Sequence, residues 1–433
     1  MNTDMRELAK QLTTATGRAI YIGGIPEAED PKLKALTTEG LAAMQKRKWD
    51  EAVSSFQKAL NVAGHSAPTV ALHYLVGVSH FIPCRWQQAE ESFTQADRLA
   101  AEFGDKPGRT NALNLMGSIC TAKGELDRAE KYLNEALATA LEIGDQDSEA
   151  RVISNRGHVY RGKGEMEKAM ECFKAALAKA REAANPIVQA NSLSSIAQAL
   201  IVKGELDEAQ EHLEQARTIY RETGFRPGEA SVCSSIAMVH QDRGNLDESL
   251  RYYQKALAVH RELGNPQGEA AALNSIGLVH LGEGEPVAAL RHYREALAIA
   301  RRIGDPLVEA NSIGGIGLAL LEMGKPDEAL QYIEAALAGA RKTGNPELQA
   351  DNLCNIGTIH ATRGETDKAL RSFVESRLIF SSIGATPSVE KTTNNLKRVL
   401  EQMGRERFLA GCVEAGMTGE DAEKLADSLT QPV

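Results

Sequence analysis

Small and apolar residues return along this chain at a fixed interval. Gly117, Gly157, Ala197, Ala237, Gly277, Gly317 and Gly357 hold one position, spaced by 40 residues. Ala129, Ala169, Ala209, Ser249, Ala289, Ala329 and Ala369 hold a second. Leu133, Phe173, Leu213, Tyr253, Tyr293, Ile333 and Phe373 hold a third, and glycines from Gly124 to Gly364 a fourth. Two earlier copies, marked by Gly40, Trp49, Ala52, Phe56 and Ala59 and by Gly77, Trp86, Ala89, Phe93 and Ala96, are offset by 37. Within one copy, Leu273, Ile276, Gly277 and His280 fall on one stripe of a helix, and Ala289, Tyr293, Ala296 and Leu297 on a stripe of a second. Glycine inside a helix costs about 1 kcal/mol relative to alanine, so Gly277 predicts a close approach of the partner helix.

The joints are equally regular. Gly284 and its equivalents end the first helices, and Gly224, Gly264, Gly304 and Gly344 the second. Asn185-Pro186, Asn265-Pro266, Asp305-Pro306 and Asn345-Pro346 start the next ones, with Asn or Asp as N-cap and Pro at the first helical position. The pattern predicts helices of about four turns joined by short turns.

A small residue in helix one, glycine at the turn and Ala–aromatic–Ala in helix two resemble the tetratricopeptide repeat (TPR) pattern. The 40-residue period and centres such as Asn155-Arg156-Gly157 and Asn355-Ile356-Gly357 resemble the Pins/LGN and kinesin light chain subclass. The resemblance implies an all-α fold, a right-handed TPR superhelical solenoid of antiparallel helix pairs with helical caps. It covers 33–389 as nine repeats, between an N-terminal helix or cap segment at 1–32 and a degenerate repeat with capping helices at 390–433. Met5, Leu8, Leu12 and Ala15 predict a short amphipathic helix before the first repeat. The segment Ile20-Tyr21-Ile22 either caps the first repeat or plugs the groove.

Composition narrows the function. The net charge of −10 argues against nucleic acid as main partner. Six scattered cysteines without Cys-x-x-Cys read as reduced thiols of a cytoplasmic protein. No apolar run approaches membrane-spanning length. Gly314-Gly315-Ile316-Gly317 lies inside a predicted helix, which excludes a dinucleotide loop. His80, His240, His280 and His360 share one repeat position and read as packing residues with satisfied nitrogens, not metal ligands. Arg181, Arg221, Arg261, Arg301 and Arg341 form a ladder at second-helix ends. They read as partners of the negative helix terminus rather than an anion-binding edge. No catalytic constellation emerges, and neither an enzyme nor a cofactor is expected.

In the family that the chain resembles, first helices line a concave face. That implication selects Asn111, Asn114, Arg151, His158, Asn191, Gln198, Met238, Asn274, Leu278, Leu281, Asn311, Leu318 and Leu321 as binding residues. The amides suit an extended peptide backbone, and the leucines place apolar surface where water is otherwise expected. The expected function is a non-enzymatic scaffold or adaptor that holds a peptide or helix of another protein. The alternative occupant is an apolar small molecule such as a lipid or sterol.

Overall fold

The protein is seen in a computed structural model that describes Leu12 and residues 30–430, apart from 84 and 384. Among the described residues every regular element is an α-helix. The first helices of successive pairs are α1 (Pro31–Gln45), α3 (Pro68–Phe81), α5 (Lys106–Ala122), α7 (Gln146–Gly162), α9 (Pro186–Lys203), α11 (Arg226–Asp242), α13 (Pro266–Gly282), α15 (Pro306–Glu322) and α17 (Pro346–Thr362). Their partners are α2 (Trp49–Ala63), α4 (Trp86–Phe103), α6 (Leu126–Ile143), α8 (Met166–Glu182), α10 (Leu206–Thr223), α12 (Leu246–Glu262), α14 (Pro286–Ile303), α16 (Pro326–Thr343) and α18 (Thr366–Ser382). Three more helices follow: α19 (Thr386–Met403), α20 (Arg405–Glu414) and α21 (Gly419–Thr430).

The caps form as the sequence dictates. The side-chain oxygens of Asn185, Asn265 and Asn345 accept from the backbone N–H three residues on, at 3.1, 3.2 and 2.9 Å. That of Asp305 accepts from Leu307 and Val308, at 3.0 Å each. These bonds occupy donors that a helix start leaves unpaired. At the other end, Gly284 takes φ +74°, closing the first helix in the left-handed region. Ala184 departs from the pattern. It stands where Gly224, Gly264 and Gly304 stand in later repeats, and it still takes φ +49°.

Close packing within each pair explains the small residues. A Cβ built on Gly157 would lie 2.5 Å from the Phe173 ring, and one on Gly277 2.8 Å from Tyr293. Facing them, Ala129, Ala169, Ala209, Ala289, Ala329 and Ala369 are fully buried. Gly314, Gly315 and Gly317 all lie within α15, where Gly315 receives the ring of Tyr293 from the preceding pair.

The chain divides into two compact units, one ending at Val239 and the other beginning at His240, within α11. In the unit ending at Val239, α3 packs on α5, α5 on α7 and α7 on α9. In the unit beginning at His240, α13 packs on α15, α15 on α17 and α17 on α19. Among the described residues, consecutive second helices from α2 to α18 show no comparable packing, and only at the C-terminal end does α18 pack on α20. In each unit, first helices therefore converge and second helices splay, which makes the first-helix side the inner one. Leu12 is buried in the core that includes Leu33, Leu41 and Met44. The remainder of the expected N-terminal helix and Ile20-Tyr21-Ile22 lie outside the described residues. At the other end, Leu396, Val399, Leu400, Phe408, Leu425 and Leu429 bury a core with Leu370, Phe373 and Val374 of α18.

Replacing Ala184 with glycine removes a side chain from the left-handed region. Ala184→Gly is expected to raise stability by about 1 kcal/mol. The measurement is urea unfolding of variant and parent, with a higher midpoint at unchanged slope as the expected result.

Candidate functional site: the inner stripe of the first helices

Side chains that do not serve helix pairing emerge on the inner face in rows, one per first helix. One row runs Ser118, His158, Gln198 and Met238 in the first unit, and Leu278, Leu318 and Thr358 in the second. One helical turn on, the next row runs Thr121, Arg161 and Ile201, then Gln241, Leu281, Leu321 and Ala361. Helical spacing of three to four residues puts both rows on one face of each helix.

In the first unit, the structure spends most of the expected polar residues on itself. Asn155 Nδ2 donates to Asn114 Oδ1 at 2.8 Å and to Ser118 Oγ at 3.2 Å, tying α7 to α5. Asn111 Nδ2 donates to the Pro107 carbonyl at 2.9 Å. Arg151 pairs with Asp147 one turn earlier on its own helix. Asn191 Oδ1 accepts from the Tyr220 hydroxyl at 2.7 Å. Gln198 Oε1 accepts from Arg161 at 2.7 Å, tying α9 to α7. A repeat protein stacks its first helices closely, so polar groups on adjacent inner stripes find each other before they find a ligand. Of the amides expected to meet a peptide backbone, Asn111, Asn114, Asn191 and Gln198 already hold internal bonds.

His158 lies in this network. Its ring packs against Phe173 at 5.0 Å, its Nε2 is 3.4 Å from Ser195 Oγ, and its buried Nδ1 has no hydrogen-bond partner. Burial, aided by the Arg161 charge, lowers its pKa to about 4. The imidazole is therefore neutral at neutral pH.

The second unit is different. Leu278 is 46% exposed, and Leu318 is half-buried at the same register of α15. Leu281 and Leu321 are less open than expected, because both pack against the core around Tyr293, Ile316 and Ile333. Asn274 Oδ1 accepts from Ser312 Oγ at 3.0 Å, and Asn311 is exposed on α15. In the first unit, Met238 of α11 is 45% exposed. A hollow of about 300 Å³ lies elsewhere, lined by Leu177, Gln189, Leu193 and Ile219 from helices α8 to α10.

The histidine and arginine rows behave in part as expected. His360 Nδ1 meets Glu365 at 2.8 Å across the turn. His280 Nδ1 lies 3.0 Å from Glu283 and 3.1 Å from Glu285. These three are the described residues whose ligand atoms converge, all within 4.8 Å. The pairing of His280 with Glu285 repeats that of His360 with Glu365, so turn closure accounts for it. The expectation of satisfied nitrogens fails at His280, whose buried Nδ1 faces two carboxylates without a hydrogen bond, and at His80 and His240, whose buried Nδ1 atoms also lack hydrogen bonds. At His80 and His240 the residue five positions on is Arg85 or Asn245, in place of the glutamate. Arg261 meets Glu269 and Glu295 at 2.7 Å each, and Arg301 meets Glu309 at 2.9 Å. At Arg261 and Arg301 the ladder thus joins one repeat to the next through a glutamate eight residues on, whereas Arg181 and Arg341 have Gln189 and Gln349 at that position.

Arg161 escaped the sequence reading. The signal was present: a charged residue occupies a register position that Thr121, Ile201, Gln241, Leu281, Leu321 and Ala361 fill elsewhere.

The helix-pair solenoid defines a class of repeat protein, and the family models identify it. The MalT-like TPR region model matches residues 34–238, and the tetratricopeptide repeat model matches 231–302 and 308–381. The chain belongs to the tetratricopeptide repeat superfamily. Among solved structures, a Rap protein complexed with competence and sporulation factor is 15% identical with a TM-score of 0.55, covering 92% of this chain and 99% of that one. Aspartyl phosphate phosphatase F from Bacillus subtilis is 15% identical with a TM-score of 0.52, covering 82% and 96%. A signal transduction ATPase with a tetratricopeptide repeat sensor, from Pyrococcus horikoshii, is 13% identical with a TM-score of 0.55, covering 90% and 66%. At these identities the likeness is one of fold. No curated protein sequence matches the chain. No described helix is long and apolar enough to cross a membrane.

The depressed pKa of His158 fixes a sign. Its neutral form is favoured by folding, so its contribution is fully present above the unfolded value near 6.5. It is lost as pH falls toward 4. His158→Gln is expected to remove a pH-dependent loss on the order of 2–3 kcal/mol between pH 6.5 and 4. Thermal melts across that range should show a flatter profile in the variant, and parallel profiles would refute the burial.

Proposed function

We propose that the protein is a non-enzymatic protein–protein interaction scaffold. The inner stripes of its first helices hold a peptide or helix from a partner protein. One observation carries this reading: Leu278 and Leu318 repeat at one register of adjacent first helices, the first exposed and the second half-buried, on a face where neighbouring positions are packed or internally bonded. Isolated exposed leucines are ordinary on protein surfaces, and leucines in register on converging helices form a patch. A side chain pressed between α13 and α15 would bury both. The likeness to a Rap protein that was obtained in complex with a factor supports a solenoid of this kind having an occupant.

The apolar small-molecule reading draws no support from the hollow of about 300 Å³, which is lined from α8 to α10 and not by these leucines. A lipid or sterol co-purifying with the protein would restore it.

The test is affinity capture from the protein's own host, with Leu278→Glu/Leu318→Glu beside the parent chain. The partner's affinity is expected to fall at least about tenfold, or 1.4 kcal/mol, while the far-ultraviolet circular dichroism stays unchanged. Undiminished capture would remove the leucine patch from the account.

A further inference from the structure

Among the described residues, Arg161 is a cation on the first unit's inner face that the fold leaves without a counter-charge. It sits half-buried on α7, one turn beyond His158. It donates to Gln198 Oε1 at 2.7 Å, and no carboxylate lies within ion-pair distance of it among the described residues. Arg156 on the same helix also lacks an ion pair among the described residues and donates to the Tyr160 hydroxyl at 3.2 Å, but other neighbours contrast with Arg161. Arg151 on the same helix has Asp147, Arg109 has Asp97 at 3.0 Å, and Lys163 has Asp127 and Glu130. An acidic chain of net charge −10 has carboxylates to spare. Desolvating a guanidinium without an anion is costly, and an incoming anion offsets that cost.

We infer that Arg161 and Gln198 form a receptor for the side-chain carboxylate of an aspartate or glutamate within an extended partner peptide. The inference rests on the peptide-binding reading and names the chemistry of its occupant. A guanidinium carries five N–H donors in a planar fork matched to a carboxylate, and Gln198 engages one terminal nitrogen. Because Gln198 presents its Oε1 to the arginine, its amide NH2 remains a donor for the second carboxylate oxygen. Nearby, the neutral imidazole of His158 adds no competing charge. The occupant's carboxylate belongs to a side chain and not to a chain end, because the inner stripe continues on both sides of Arg161. Ser118 and Thr121 of α5 lie before it, and Ile201 of α9 and Met238 of α11 after it, so the groove does not close on a terminus.

The test uses the full chain and three randomised nonapeptide libraries with acetylated N-termini. The first has a fixed central Glu and an amidated C-terminus. The second has a fixed central Gln and the same amide. The third has the central Gln and a free C-terminal carboxylate. The Glu library is expected to be retained about tenfold more than either Gln library on the parent protein, and equally with the amidated Gln library on Arg161→Gln. Arg161→Lys should keep part of the preference, and the melting temperature of Arg161→Gln should stay level or rise. Equal retention of Glu and Gln libraries on the parent protein would overturn the carboxylate receptor and leave the leucine patch of the second unit, tested by affinity capture, standing. Preference for the free-carboxylate library would overturn the choice of occupant. Failure to retain any library would overturn the receptor, while the capture experiment with Leu278→Glu/Leu318→Glu decides the leucine patch. A marked fall in the melting temperature of Arg161→Gln would make the residue structural and overturn the receptor.

Discussion

The distance between the two helices of a pair governs this molecule. Where Gly157 faces Phe173, or Gly277 faces Tyr293, the ring lies against bare backbone, and any side chain would intrude. Glycine costs helix stability, and the close approach returns it as buried aromatic surface. Repeating that contact at 40-residue intervals gives each pair the same geometry. Stacking identical pairs then buries a continuous core within each unit, since every pair covers the exposed face of the one before.

From the same constraint follows the working surface. First helices pack on first helices, so their outward stripes converge within each unit. Convergence brings polar residues of successive repeats together, and they bond: Asn155 to Asn114, Arg161 to Gln198, Ser312 to Asn274. These bonds hold the register of the stack. What they leave over is small and chemically distinct in each unit. The first unit keeps the Arg161 guanidinium without an anion, and the second keeps an exposed Leu278 in register with a half-buried Leu318. Outside the stripe, ion pairs such as Lys163 with Asp127 and Arg363 with Asp327 join adjacent repeats, mostly at exposed positions. Such pairs set register more than they add stability.

Much of the architecture was legible in the chain because packing is periodic. Gly124 to Gly364 mark turns, Asn185 and Asp305 mark starts, and the structure places each where the spacing puts it. The inner stripe was legible in position but not in use. Asn111, Asn114, Asn191 and Gln198 look available in sequence, and only coordinates reveal the Tyr220 hydroxyl or the Arg161 guanidinium beside them. Leu281 and Leu321 look exposed by helical phase, yet the neighbouring pair covers them, since phase within one helix does not describe its neighbour. Arg161 was missed for the converse reason. Its significance is the absence of a carboxylate in space, which a linear pattern does not record.

A double-mutant cycle at Gly157 and Phe173 tests the governing contact most directly. The chain contains its own control, since Ala197 stands opposite Leu213 in the next repeat. Helix propensity alone predicts that Gly157→Ala stabilises by about 1 kcal/mol. The close-approach account predicts the opposite: Gly157→Ala destabilises in the parent, and Phe173→Leu relieves it, with a coupling of about 1 kcal/mol or more by urea unfolding. Stabilisation by Gly157→Ala with no coupling to Phe173 would contradict it.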